Sequence, residues 1–430
     1  MKIAGNGQTE VPLDIVSKRK KLMRTEERIV DMPATEQASI HGHAWVVLSV
    51  AYIAGIICTI NLMKVPPLIP ILMDHFKVNL ANAGLMMSVI SFVGLLLRIP
   101  SGVLVQKVGI RMTGILAMLF SVLGGVLGAV ATNYPVFLVS RGLEGIGLTL
   151  IALVGSTTAG IWFPPHRVGL ALGMVSTCVA VGGFLGMALI PRLAHSISWQ
   201  GVWWVSAALS GVALLLVAAL VRTPPWMSAS AVAAGTHKPP SLKTAFANRN
   251  IWLWALMYLC ILLPSAMISY YITYLNKVQG FSLEKAGLVS SLGSVGSLIG
   301  ALLGGYLIGK IGHLKASLTI SLVIFSFLLL LAFNISGMAI PIWMVVVGVL
   351  GMGYMPVLCL TAVPRIVGGP LLTGIGMAIA GFGGAVGGIV GPPLFGFIVD
   401  KAGWNMGAYL LVPFLVLAIL FINVTKIPEP

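Results

Sequence analysis

Four charged side chains stand inside long apolar stretches of this chain. They are Lys64, Arg98, Arg141 and Glu144. A charge at the centre of a bilayer costs at least about 2.5–3.5 kcal/mol on insertion scales, so charges in such stretches mark pairing, proton transfer or ligand binding. Three of the four are cations and one is an acid, which favours an anionic ligand over a cationic one.

Arg141 and Glu144 are three residues apart in an apolar run. On a helix this spacing puts both side chains on one face, where they can neutralise each other. Two interpretations stay open: a structural pair that organises the helix, or a pair that couples transport to an ion. Glu144 is the only carboxyl group among the four, which makes it the candidate for a buried proton site of acidic type.

Arg98 has no acidic residue at helical spacing. Its helix face carries small residues, Ser91, Gly94, Ser101 and Gly102. A guanidinium presents planar, two-pronged donors that suit a carboxylate or a small oxyanion. We therefore interpret Arg98 as a candidate anion-binding residue; the alternatives are that it extends to the membrane surface or pairs with Glu144.

Lys64 comes just before three prolines, Pro66, Pro67 and Pro70. Proline removes a backbone donor and predicts a kinked or broken helix here. Broken helices that line a cavity are where membrane carriers place binding groups, so Lys64 is a second candidate substrate ligand. The alternative is an ammonium group that reaches the outer interface along its flexible stem.

The second half of the chain offers hydroxyl groups instead of charges within its apolar runs. The candidates for completing an anion site are Tyr258, Ser265, Ser269 and Tyr270, with Pro264 allowing a bend. Tyrosines near a span end also occur as interface-belt residues, and this reading is equally open for Tyr274.

These residues need membrane-spanning helices to position them. Of 430 residues 58% are hydrophobic and 9% are charged, which excludes an ordinary soluble domain. Crossing ~30 Å of hydrocarbon takes ~20 apolar residues as a helix, and open strands are excluded because lipid cannot satisfy their backbone groups. The sequence predicts twelve spans: 45–72, 83–105, 110–131, 134–161, 168–191, 200–221, 251–275, 285–308, 315–333, 339–361, 370–398 and 405–425.

Charges between the spans predict the orientation. Residues 1–43 form a basic polar tail without a signal-peptide pattern, and residues 222–250 form a polar, proline-containing linker. With the tail inside, the inner connections carry Lys107, Arg111, Arg167, Arg222, Lys238, Lys243, Arg249, Lys310, Lys315 and Arg365, whereas the outer ones carry only Lys77, Arg192, Lys277, Lys285 and Lys401. This bias predicts that both termini are cytoplasmic, with six-helix bundles at 44–221 and 251–430.

The chain also resembles itself at a fixed offset. Gly84, Leu85, Ser88, Ser91, Leu95, Gly102, Leu104, Lys107 and Gly109 return 203 positions later as Gly287, Leu288, Ser291, Ser294, Leu298, Gly305, Leu307, Lys310 and Gly312. A repeat over half a membrane protein predicts two pseudo-symmetric bundles around a shared path, which is typical of transporters. Arg98 aligns with Ala301, so the repeated scaffold itself does not require a cation at this position.

Two motifs resemble those of the major facilitator superfamily. The segment Gly102-Val-Leu-Val-Gln106-Lys107-Val-Gly109-Ile-Arg111 is similar to its Gly-x-x-x-Asp-x-x-Gly-x-Arg gating loop, with Gln106 in place of the acid. Arg141-Gly-Leu-Glu144-Gly-Ile-Gly147 is similar to its fourth-span motif. Trp162-Phe-Pro164 is similar to the fourth-to-fifth connection of the organic-anion, cyanate and nitrate/nitrite branches, and within these the stretch from Asn61 to Pro70 looks most like cyanate-permease-like proteins. The resemblance implies an all-α fold of twelve transmembrane helices in two six-helix bundles, without catalytic activity.

Three functions compete on these observations. The first is a secondary carrier that moves a small anion by alternating access: an inorganic oxyanion, a cyanate-like ion or a short carboxylate, with coupling to protons or a counter-anion. The second is an exporter of drugs or metabolites from the same superfamily. The third, an intramembrane enzyme, lacks clustered catalytic residues, since His75, His166, His195 and His313 fall in loops. We expect no metal or cofactor, no nucleic-acid partner, a monomer, and a bacterial inner-membrane location.

Overall fold

The computed structural model describes residues 34–222, 247–311, 313–367, 370–425 and residue 427, so most of the predicted tail and linker lie outside the described residues. The helices are α1 Ala34–Met63, α2 Ile69–Phe76, α3 Leu80–Ala129, α4 Tyr134–Trp162, α5 Pro165–Leu220, α6 Arg249–Lys277, α7 Leu283–Ile311, α8 Leu314–Leu331, α9 Ala339–Val347, α10 Met355–Thr361, α11 Val363–Val367, α12 Pro370–Tyr409 and α13 Val412–Val424. A π-helical stretch, Gly348–Tyr354, joins α9 to α10.

The three longest helices each turn back at a single residue with positive φ. These residues are Gly109 in α3, Ser198 in α5 and Gly403 in α12, with φ of 79°, 70° and 82°. Ten apolar stretches of the described residues are long enough to cross a bilayer. The corner at Ser198 divides the longest of them into two spans, and the part of α12 beyond Gly403 forms the last span together with the shorter apolar helix α13. Twelve spans result, which confirms the predicted all-α membrane architecture.

The first span is broken where the prolines predict it. Helix α1 ends at Met63, a 3₁₀ turn covers Pro66–Leu68, and α2 continues from Ile69. Because Pro66 has no N–H, the carbonyl of Leu62 loses the donor that a continuous helix provides four residues later. The break therefore exposes backbone acceptors in the middle of the first half.

The two halves of the chain close on each other at the end where α3 begins at Leu80 and α7 begins at Leu283, which we call the closed end. There the single Tyr270 hydroxyl hydrogen is shared between the carbonyls of Leu80 (3.0 Å) and Pro392 (2.9 Å), one in each half. The Ser88 hydroxyl donates to the Ile389 carbonyl at 2.6 Å. An added Cβ at Gly84 would strike the α12 backbone at Pro392.

Four helices that contribute to the interface between the halves, α3, α5, α7 and α12, are less closely packed at the opposite end of the bundle. This is the end where α3 turns at Gly109, and we call it the open end. An added Cβ meets no described atom within 4 Å at Gly102, Gly173, Gly305 or Gly374, which lie on α3, α5, α7 and α12. At these four positions, in contrast to Gly84 at the closed end, no described residue of the opposite half packs against the helix.

Ser198 provides a test of the corner geometry. Its φ of 70° and ψ of 166° lie in a region that only glycine adopts without strain, which costs about 1–3 kcal/mol. The Ser198 hydroxyl also caps the following helix by accepting from the Gly201 N–H at 3.3 Å, and replacing a serine cap by glycine costs only a few tenths of a kcal/mol.

We therefore expect Ser198→Gly to stabilise the protein by about 1 kcal/mol, which a thermal unfolding curve in detergent would show as a raised Tm. Ser198→Ala is the control, because it keeps the strain and loses the cap, so its Tm should fall. Equal Tm values for the two variants would contradict the strained geometry.

Candidate functional site

A cavity of about 740 Å³ lies between the two halves. Helices α1, α3 and α4 of the first half and α6, α10 and α12 of the second contribute its walls. The side chains that bring polar groups to it are Ser91, Arg98, Ser101, Thr149, Ser156 and Tyr258. The remaining wall consists of aliphatic residues, Met377, alanines and glycines, so the cavity is apolar with one cation.

Arg98 lines this cavity and is exposed to it. Its guanidinium forms no ion pair or hydrogen bond with any residue that the structure describes, and Glu144 is held by other partners. The head group lies against the α12 backbone, where an added Cβ at Gly381 would coincide with Arg98 Nη1. In the described part of the chain no carboxylate pairs with this guanidinium, which is thus presented to the cavity as a cation without a counter-charge.

Tyr258 is the one predicted hydroxyl of the second half that reaches the cavity. It is 9% exposed, and its ring packs against Gly384 on α12. Arg98 and Tyr258 both line this cavity, from different halves.

Lys64 is completely buried instead of reaching the interface. Its Nζ donates to Glu144 Oε1 at 2.5 Å, to Ser206 Oγ at 2.8 Å and to Asn61 Oδ1 at 3.3 Å. The ammonium group also lies 4.4 Å from the centre of the Trp203 ring. All of its donors are therefore used inside the protein.

Arg141 completes the network on the other side of the carboxylate. It forms an ion pair with Glu144 Oε2 within α4, as the i, i+3 spacing predicts. Its remaining donors bind carbonyls that the broken first helix and α3 provide: Asn61 O at 2.8 Å, Leu62 O at 3.2 Å and Met86 O at 3.2 Å. Arg141 thus replaces the backbone donor that Pro66 lacks.

The network and the cavity adjoin at Leu62. Its side chain lines the cavity while its carbonyl accepts from Arg141. Both oxygens of Glu144 are occupied by cationic donors, so the three charges tie together α1, the first arm of α3, α4 and α5. The geometry corresponds to a structural core beside the cavity.

Three other candidate ligands lie outside the cavity lining. The Ser265 hydroxyl donates to the Ile261 carbonyl of its own helix at 3.2 Å, and Ser269 does not line the cavity. Tyr270 is fully buried and uses its hydroxyl at the closed end. Tyr274, the predicted belt residue, is also buried and donates to the Phe333 carbonyl at 2.8 Å.

The predicted gating loop lies at the open end. Gly109 supplies its positive φ, and Arg111 donates to the Ala218 carbonyl through Nη2 at 2.7 Å and Nε at 3.2 Å, which binds the end of α5. Gln106 and Lys107 are exposed, and neither forms a hydrogen bond with a described residue. Gly102 has open space beside it.

Comparison with known families agrees with this arrangement. The family model for the Major Facilitator Superfamily matches residues 51–369 and residues 286–430. The chain belongs to the Major Facilitator Superfamily. It is thus a multi-pass membrane transporter, not an enzyme.

One solved structure and three relatives illustrate which members of the superfamily this chain is similar to. An inward-facing bacterial homologue of the human lysosomal transporter Spinster superposes with a TM-score of 0.74 at 15% identity, covering 89% of this chain and 97% of that one. The Escherichia coli 3-(3-hydroxy-phenyl)propionate transporter is 31% identical over 45% of this chain and 47% of its own length. The Bacillus subtilis hexuronate transporter is 21% identical over 84% and 89%. A probable anion transporter of Oryza sativa is 30% identical over 34% of each chain.

Sequence reasoning missed several members of this transporter's charge network. Asn61, Trp203, Ser206 and Ser210 all contact Lys64 or one another. The only signal was that polar Asn61, Ser206 and Ser210 interrupt apolar runs, which is common for helix-packing serines as well. Gly381 was missed because a glycine in a glycine-rich span carries no individual signal.

The network predicts a ranking of variants. Glu144→Gln leaves Lys64 and Arg141 buried without their counter-charge, which costs about 3–5 kcal/mol of stability when a buried pair is broken. Lys64→Met leaves the Arg141–Glu144 pair intact and should cost less. Thermal unfolding in detergent should therefore give the Tm order wild type, Lys64→Met, Glu144→Gln. A Tm for Glu144→Gln equal to that of the wild type would remove the structural role of this carboxylate.

Proposed function

We propose that this transporter is a secondary carrier for an organic anion, which binds at Arg98 and crosses the membrane by alternating access. The observation that carries the proposal is the Arg98 guanidinium in the cavity between the halves, without an acidic partner among the described residues. The guanidinium is exposed to the cavity and its donors bond to no described residue, so an anionic ligand can bind it through two parallel hydrogen bonds without displacing a protein contact.

The size and lining of the cavity favour a carboxylate with an apolar body. Its volume of about 740 Å³ lies within the ~300–1,000 Å³ that small organic ligands occupy. A cyanate or nitrate ion would fill a small part of it and leave the aliphatic wall unused. The relatives described above include carriers named for hydroxyphenylpropionate, hexuronate and anions, which supports an organic acid.

One cation and several hydroxyls favour a single carboxylate. Arg98 can bind it through two parallel hydrogen bonds, and the hydroxyls of Ser91, Thr149 and Tyr258 are available to further polar groups of the substrate. We assign Lys64, Arg141 and Glu144 to holding the helices beside the cavity, since their donors and acceptors are bonded to one another.

The two ends of the bundle support alternating access. Closure at one end with separation at the other is the arrangement that one of two alternating states requires. Lys107, Arg111, Lys310 and Lys315 belong to the open end, so the positive-inside rule makes that end cytoplasmic and this conformer inward-open. We place the protein, with both termini cytoplasmic, in a bacterial inner membrane.

A ligand screen tests the anion proposal directly. Purified protein would be heated with nitrate, cyanate, acetate, succinate, 3-phenylpropionate and, as a cationic control, 3-phenylpropylamine. A ligand at 100 times its Kd stabilises a protein by about 2.7 kcal/mol, so binding raises the Tm. We expect 3-phenylpropionate to stabilise most. Stabilisation by the amine alone would contradict the proposal and favour the exporter.

Substitutions of Arg98 test whether this residue binds the anion. Arg98→Ala should leave Tm without ligand nearly unchanged, because Arg98 bonds to no described side chain, but it should weaken anion binding by about 2–5 kcal/mol, roughly thirtyfold to several thousandfold. Arg98→Lys should rescue only in part, since an ammonium group cannot form the two-pronged contact. Isothermal titration with 3-phenylpropionate measures both. Wild-type affinity in Arg98→Ala would refute the assignment.

A further inference from the structure

Gly381, in the second half of the transporter, lies against Arg98, the candidate anion-binding residue of the first half. Arg98 is on α3 and Gly381 on α12, so the guanidinium extends from the first half to the backbone of the second. The space that a side chain at 381 would take is the space that Arg98 Nη1 occupies. In the described residues no hydrogen bond or ion pair holds this head group elsewhere.

We propose that Gly381 is a positioning residue for the anion site, because the missing side chain at 381 leaves the space beside α12 that Arg98 Nη1 occupies at the wall of the cavity. This inference rests on the proposed function. A methyl group at 381 would meet the far end of a flexible side chain, so it would displace the guanidinium without disrupting the helix. Hydrogen bonds weaken steeply when they are misaligned, so displacing the guanidinium should lower the affinity of the protein for the anion.

The test compares Gly381→Ala with Gly374→Ala on the same helix, where an added Cβ meets no described atom within 4 Å. With 3-phenylpropionate as the probe, Gly381→Ala should raise Kd about tenfold, while Gly374→Ala leaves it unchanged. In the Arg98→Lys background the effect of Gly381→Ala should shrink to about twofold, since lysine lacks the Nη1 branch.

The outcomes separate the two proposals. Equal Kd changes for Gly381→Ala in the Arg98 and Arg98→Lys backgrounds mean a general structural effect and overturn the positioning role. An unchanged Kd in Gly381→Ala, with binding still lost in Arg98→Ala, overturns it while the anion function stands. Binding of none of the screened anions overturns both.

A second, independent observation concerns the acidic residues. Between residues 44 and 425 the chain has four: Asp74, Glu144, Glu284 and Asp400. Glu144 belongs to the buried network. The other three lie at the closed end, and each bonds from one half of the chain to the other.

The three contacts differ in kind, but each of them joins the two halves of the chain. Asp74 of the first half lies 3.5 Å from Lys277 of the second, and Glu284 of the second lies 4.0 Å from Arg192 of the first. Asp400 of the second half accepts from the first N–H groups of α3, Oδ1 from Leu80 at 3.4 Å and Oδ2 from Ala81 at 3.1 Å. A carboxylate at a helix N-terminus is favoured by the helix dipole as well.

Asp400 lies in a segment whose glycines have the same spacing as those of the gating loop. Gly396-Phe-Ile-Val-Asp400-Lys-Ala-Gly403 repeats the Gly-x-x-x-Asp-x-x-Gly spacing, and Gly403 (φ 82°, ψ 172°) has the backbone conformation of Gly109 (φ 79°, ψ 171°). The loop at the open end has Gln106 at the acidic position. The acid of this motif is thus present at the closed end and absent from the gating loop at the open end.

We propose that the one-sided placement of acids is an electrostatic latch that biases the transporter toward the conformer closed at the Leu80 end. Opening this end separates the halves and breaks all three contacts, whereas closing the Gln106 end forms no corresponding contact from that loop. Each exposed carboxylate of this kind should shift the equilibrium about two- to fivefold.

Cysteine labelling measures this bias without a substrate. Ser294→Cys reports the closed end, since Ser294 is 9% exposed and faces Gly183 across the halves. Ser156→Cys reports the cavity from the open end. Each is labelled with a membrane-impermeant maleimide and compared with the parent chain without the added cysteine.

Asp400→Asn should raise the labelling rate at Ser294→Cys about two- to fivefold and lower it at Ser156→Cys. Asp74→Asn, at another exposed site, and ~1 M salt, which screens exposed pairs, should act in the same direction. Gln106→Asp should change both labelling rates in the same direction by placing an acid at the open end.

Lys401→Gln, beside Asp400 but without a described ion pair, is the matched control. Rates in Asp400→Asn and Asp74→Asn equal to those in Lys401→Gln overturn the latch.

Discussion

The sharing of one carboxylate by two buried cations is the interaction on which the first half of this transporter depends. Glu144 accepts from Lys64 and Arg141, and those two in turn satisfy carbonyls and hydroxyls on three neighbouring helices. Three charges in a low-dielectric interior are stable only when each remaining donor finds an acceptor. The broken first helix supplies two of those acceptors, the carbonyls of Asn61 and Leu62, so the break and the charges stabilise each other.

Much of the architecture could be predicted from the sequence because hydrocarbon permits few alternatives. Length and hydropathy define the spans, the prolines define the break, and the i, i+3 spacing defines the Arg141–Glu144 pair. The Lys64–Glu144 bond joins residues 80 positions apart on different helices, so helix packing decides it and no local pattern encodes it. Tyr270 gave the right residue type for a polar contact, but only the relative position of the halves shows which carbonyls it meets.

The two halves contribute different things to the cavity despite their repeat. The first half supplies the one cation that lines the cavity, Arg98, and the second half supplies close backbone approach: Gly381 to Arg98 and Gly384 to Tyr258. A helix without side chains at these positions lets groups from elsewhere occupy its surface. The repeat therefore preserves the scaffold while the chemistry of the site is asymmetric, as the alignment of Arg98 with Ala301 indicates.

The hydrogen bonds that join the halves at the closed end of the bundle run from side chains of one half to main-chain atoms of the other. Tyr270 and Ser88 bond to carbonyls, which every residue type presents, and Asp400 bonds to N–H groups, which every residue type except proline presents. Substitutions at Leu80 or Ile389 therefore need no compensating change in the opposite half. In an alignment of related chains, pairwise covariation across this interface should be weak at these positions and concentrate at side-chain pairs such as Arg192–Glu284, so contact maps inferred from covariation would underestimate how firmly this end is closed.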